Sequence, residues 1–162
     1  MRCIVLLVAV AVAGILGGSA YIFFGLYDIS ATVPHWGITE AVLTLARERS
    51  IAAHSRGIVA RDLSDPKLTN TGMIYYHAMC RLCHGAPGSA ENELSKGLYP
   101  RPPSLLTGSV QRELGEAKMF WVVRNGLKMT GMPAFGPTHS EEELWGVVAY
   151  LKILPGVKAP AQ

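Results

Sequence analysis

The run Cys80-Arg81-Leu82-Cys83-His84 sets two thiols three residues apart and an imidazole directly after the second. Thiols at that spacing add across the two vinyl groups of one haem, and the imidazole next in the chain is then held under the iron. Other chemistry fits these residues less well. A thioredoxin-like dithiol needs a strand before it and a helix after it, whereas Gly85-Ala86-Pro87-Gly88 reads as loop. A zinc site needs further ligands, and the third cysteine, Cys3, lies in an apolar segment far away. A disulfide across so short a loop leaves His84 without a purpose.

Iron held by one imidazole has a sixth position to fill. Met132 stands in Thr130-Gly131-Met132-Pro133-Ala134-Phe135-Gly136, a loop bounded by Gly and Pro from which a thioether can reach iron opposite His84. Met129 is the rival in the same loop, but it lacks the following proline that holds a chain extended. Met73, Met79 and Met119 read as packing residues, and His35 and His54 as satisfied or solvated histidines rather than metal ligands. Trp121, Arg101 and Arg124 are candidates for the haem propionates, with surface or packing roles equally open.

These groups need elements to position them. The chain has 162 residues, enough for one domain once its first segment is set aside. That segment carries no charge from Cys3 to Tyr27, and as a helix of about 25 residues it reaches about 37 Å, longer than a hydrocarbon core of about 30 Å. A cleaved export signal is the competing reading, with Gly18 and Ala20 as small residues before a cut, but the apolar run continues past them. Arg2 precedes the run and Asp28 comes after it, which orients the N-terminus to the cytoplasm and the rest outside. Gly14 and Gly18 form a G-x-x-x-G pair that permits close approach of another membrane helix.

Residues 28–70 read as a connecting region with one short amphipathic helix, capped by Thr39 and running to about Ser55, with Val42, Leu45, Ala46 and Arg49 at helical spacing. Trp36 suits a membrane interface or a place under the domain, and Asp65-Pro66 closes the region as a turn. Residues 71–162 form the last unit. There Phe120 to Val123 and Leu144 to Leu151 supply apolar helical faces, Glu141 to Glu143 favour a helix start, and Lys152 with Pro155-Gly156 favours its end. With 15 Lys plus Arg against 12 Asp plus Glu, no basic field for nucleic acid is present.

From about residue 70 to 155 the chain resembles the class I cytochrome c family. Gly72 and Tyr76 stand ahead of Cys80 as the family's first-helix glycine and aromatic do, and Pro102-Pro103-Ser104-Leu105 resembles its segment after the haem motif. Gly131-Met132-Pro133 resembles its sixth-ligand loop, and Leu144 to Leu151, capped by Ser140, its final helix. The resemblance implies an all-α fold around one covalent haem c, preceded here by a single transmembrane helix. It further implies that the first and last helices cross, with Gly72 letting Tyr150 come near, and that the Pro103 carbonyl accepts a hydrogen bond from His84. The implied function is one-electron transfer without a small-molecule substrate. The protein is expected in the bacterial inner membrane with its haem domain in the periplasm, as a subunit or tethered shuttle of a respiratory or photosynthetic complex. The alternative is a haem sensor or haem enzyme in which Met132 is displaceable.

Two thioether bonds from Cys80 and Cys83 make the haem part of the polypeptide. Acid-acetone extraction of the denatured protein is therefore expected to leave the pellet red; a colourless pellet and a red supernatant would defeat the assignment.

Overall fold

In the computed structural model, which describes residues 1–159, the chain divides into two units, Met1–Val33 and the remainder from Pro34. All elements among the described residues are helical, with no strand. The first unit holds α1, Arg2–Phe23, whose residues are all apolar or small after Arg2 and none of which is buried. At 22 residues it is about 33 Å long, enough for a hydrocarbon core of about 30 Å. It stops before the uncharged run does, and Gly25 at φ +68 turns the chain after it.

The second unit contains α2 (Gly37–His54), α3 (Pro66–Tyr75), a π-helical turn (Tyr76–Cys80), α4 (Arg81–His84), α5 (Glu93–Gly97), α6 (Ser109–Asn125) and α7 (Glu141–Ile153). Its centre is the crossing of α3 and α7. A side chain on Gly72 would sit 1.8 Å from the Gly146 carbonyl oxygen, and one on Gly146 would sit 2.9 Å from the Leu68 carbonyl oxygen. The two backbones touch. The glycine that the resemblance pairs with Tyr150 thus faces Gly146, and Tyr150 instead packs on Tyr76, ring centroids 5.3 Å apart. Phe120 of α6 stacks on Trp145 of α7 at 4.2 Å, which carries the core on to the third long helix.

Local chemistry explains the helix ends. Ser140 and Glu143 form a reciprocal capping box at the start of α7, a feature typically worth about 1 kcal/mol. The Tyr75 hydroxyl donates to the Glu143 carboxylate, tying α3 to the same helix start. That bond, and those from Ser140, hold the Glu143 carboxyl below its ordinary range. Asp65 and Pro66 begin a helix rather than only turning the chain: the Asp65 carboxylate accepts from the Lys67 amide, and proline fills the first helical position, where no amide bond is lost.

Two expectations for residues 28–70 are corrected. The helix starts at Gly37, with Trp36 at the cap position and Thr39 inside the first turn, because the extended backbone ends at Trp36. Its packed side is formed by Ile51 and Ser55, with Leu43 and Thr44 half-buried, whereas Val42 and Leu45 are exposed. The helix has apolar residues on two sides, and the one against α6 is opposite the one that Val42, Leu45 and Ala46 mark. His54 lies on Trp121 of α6, ring centroids 5.7 Å apart, and its Nδ1 is 2.8 Å from the Ser50 carbonyl oxygen.

The crossing generates a prediction. Gly72→Ala forces a methyl into a backbone carbonyl, so the cost is expected to exceed the 1–3 kcal/mol or so usual for overpacking. Thermal unfolding should show a large loss of Tm or a failure to accumulate, while Gly57→Ala, at an open position, changes little.

Candidate functional site

The π-helical turn at Tyr76–Cys80 continues α3 without a break and advances each residue by less than the α-helical step of about 100°. Residues after it are therefore rotated away from the α3 and α7 seam. Cys80, Cys83 and His84 line a cleft of about 760 Å³, with Cys80 also packed against the core, and that volume is within the range of about 300–1,000 Å³ usual for small-molecule sites. The cleft is also lined by Met132 and Phe135 and by Val123, Val147 and Leu151.

His84 is held by two backbone bonds to the same segment. Its Nδ1 lies 2.8 Å from the Pro103 carbonyl oxygen and donates to it, and its own carbonyl accepts from the Leu105 amide at 3.3 Å. With Nδ1 committed, Nε2 carries the lone pair. Burial lowers the imidazole's affinity for a proton and the bond to Pro103 partly opposes it, so the ring is neutral at neutral pH. The Tyr76 hydroxyl, fully buried, donates to the Gly85 carbonyl at 2.6 Å and fixes the exit of α4. Burial raises that phenol strongly, so it acts only as a donor. The Cys80 thiol is pushed up to about 11, first by burial and then by the Cys83 thiol beside it.

Met132 stands in a loop anchored to the end of α6. Gly126 closes α6 at φ +65, and a side chain there would lie 2.7 Å from the Ala134 amide nitrogen, so the returning loop passes directly over it. The Phe135 amide donates to Val123 and the Gly136 amide to Arg124, at 3.3 and 2.8 Å. Inside the loop, the Thr130 hydroxyl donates to the Leu127 carbonyl at 2.7 Å and accepts from the Met132 amide at 3.1 Å. Met132 lines the cleft, while Met129 is 72% exposed at φ 59 and lies off it. Met79 and Met119 line the cleft too, Met119 as a buried residue of α6.

Of the three propionate candidates, only Arg101 lines the cleft, and it is paired with Glu91. Arg124 pairs with Glu141 at 3.0 Å, and Trp121 packs on His54. His35 lies away from the cleft, its amide donating to the Tyr99 hydroxyl at 2.9 Å. Sequence reasoning missed Arg47, Glu48 and Ile51 of α2 and Glu113 and Lys118 of α6, all of which line the cleft. The spacing of Arg47 and Ile51, one helical turn apart, was the available signal.

This fold, helical throughout the described residues, with two thiols and an imidazole lining a largely apolar cleft, defines a c-type cytochrome of class I. The chain belongs to the family described as cytochrome C oxidase, cbb3-type, subunit III, which matches residues 67–151, just over half of its length. No curated protein matches the chain. Membership implies haem c, and the residues present fit it: a largely apolar cleft, paired thiols, a neutral imidazole with a free Nε2, and a thioether on a tethered loop.

The loop carries a testable consequence. Thr130→Val removes both hydroxyl bonds, each worth about 1 kcal/mol. Amide exchange at Met132 is expected to quicken by about thirtyfold while amides of α7 keep their protection, read by hydrogen–deuterium exchange.

Proposed function

We propose that this chain is a monohaem electron carrier anchored in the bacterial inner membrane by α1, its haem domain on the periplasmic side. In this reading Cys80 and Cys83 would attach a haem, His84 and Met132 would supply ligands to its iron, and Pro103 orients His84. The observation that carries it is the convergence of Cys80, Cys83, His84 and Met132 on one cleft, with Nδ1 of His84 already committed to a carbonyl.

Haem c, when bound, supplies a one-electron iron couple. The chain's residues do the rest. The Pro103 carbonyl keeps His84 in the tautomer that presents Nε2 and raises the basicity of that nitrogen. A thioether from Met132 is a soft ligand that favours the reduced ion and raises the potential. Thr130 and the backbone bonds at Phe135 and Gly136 keep that ligand in place, which favours electron transfer over a sensor or an enzyme needing an open position. Partners reach the group near Cys83 and the Gly85 to Gly88 loop, where Leu82 is 48% exposed.

The family supports membership of a membrane oxidase complex. The apolar α1 is compatible with a single-pass anchor, and Arg2 before it favours the cytoplasmic N-terminus. An anchor of this kind confines donor and acceptor to a layer and raises their effective concentration.

Met132→Ala is expected to remove the weak red absorption band of oxidised Fe–Met ligation, to lower the potential and to admit carbon monoxide to the iron. Met129→Ala and Met119→Ala should keep the band. Its loss in either of these, with retention in Met132→Ala, would transfer the ligand role.

A further inference from the structure

α2 lies outside the residues that match the family, yet it forms part of the cleft wall. It does so through Arg47, Glu48 and Ile51. Ile51 is only 5% exposed, and Arg47 sits one turn before it on the same face of the helix, so the packing of Ile51 sets the direction in which Arg47 projects. The ring contact between His54 and Trp121 holds that face against α6.

A haem is apolar over its macrocycle and anionic at the edge bearing its two propionates. A cleft with apolar walls must therefore offer cations where that edge rests, because an uncompensated carboxylate is costly to shield from water. The charged side chains along the cleft are Arg47 and Glu48 from α2, Glu113 and Lys118 from α6, and Arg101 from the loop preceding α6. Arg101 is already engaged with Glu91. Among the described residues, Arg47 and Lys118 are in no ion pair, which leaves them as the available cations. Of the two, Arg47 offers a permanently charged planar fork whose geometry matches a carboxylate.

We propose that Arg47 binds a haem propionate, making α2 part of the cofactor site and a determinant of the charge at the propionate edge. The inference rests on reading the cleft as a haem site. Lys118 adds positive charge from α6, Glu48 and Glu113 oppose it, and His84 also lines the cleft. An ionised propionate stabilises the oxidised iron. A guanidinium beside it offsets that effect and keeps the propionate ionised to lower pH.

The test is a potentiometric titration of the full-length, detergent-purified protein from about pH 5 to about pH 9, a window in which a shifted carboxylate titrates. Haem staining of the denatured polypeptide is run beside it. In the wild type the potential falls with rising pH as the propionate ionises. Arg47→Gln is expected to move that fall upward by about one pH unit and to lower the potential above it. Arg124→Gln, whose partner lies outside the cleft, should match the wild type. If Arg47→Gln does not accumulate, Arg47→Lys decides: it keeps the charge, loses the fork and should show a smaller upward shift. Red variants with the wild-type pH profile would overturn the role of Arg47 alone. A wild-type polypeptide that carries no haem stain would overturn the cofactor reading and this inference with it.

Discussion

Two backbones in contact at Gly72 and Gly146 set the frame on which everything else in the second unit rests. At that distance no side chain separates α3 from α7, so the two helices have little freedom to slide or rotate against each other. The residues just beyond α3 are fixed in turn: Tyr76 is clamped between α7 and the Gly85 carbonyl, and the π-helical turn leaves α4 aimed at the cleft. A thiol pair three residues apart is useful only if both sulfurs face the same cavity. The crossing, together with the wider turn, sets that orientation.

Several polar groups around the cleft are paired with one another. Pro103 has no amide hydrogen to satisfy and gives its carbonyl to His84, and the Thr130 hydroxyl serves one donor and one acceptor within its own loop. Among the groups left open toward the cavity are Nε2 of His84, the Cys80 and Cys83 thiols, the Met132 thioether and the cations Arg47 and Lys118. Such a distribution suits a large apolar group with one polar edge, and burial of that group supplies the apolar contact that a small helical domain otherwise lacks.

The legibility of the sequence depends on the range of the forces involved. Cys80, Cys83 and His84 were readable because the porphyrin dictates their spacing within five residues. Ser140 was readable because a cap acts over three residues. Asp65-Pro66 was half readable: the same pair of residues signals a turn and a helix start, and only the packing of the next ten residues against α7 selects the helix. α2 was misread in its details, since Ile38, Val42 and Leu45 form one apolar stripe and Leu43 and Ile51 another, and periodicity does not say which meets α6. Arg47 was readable only as a residue one turn from Ile51 on the same helix face, because nothing local connects that face with Cys80.

The division between α2 and the family-matched residues has a physical consequence for how such a site is tuned. Axial ligands act through bonds to the metal, and their loop and helix have to be kept within narrow limits, as the contacts at Gly126 and Gly72 show. Charges at a propionate edge act through space, over distances at which a change of one side chain alters the field without moving the iron. Placing the cation Arg47 on a helix anchored by Ile51 separates the two tasks: residues 67–151 carry the geometry, and a segment outside them adjusts the electrostatics. Substitution of Arg47 is then expected to alter the potential without moving the ligands, whereas substitution at Gly72 or Gly146 disturbs the frame that places them.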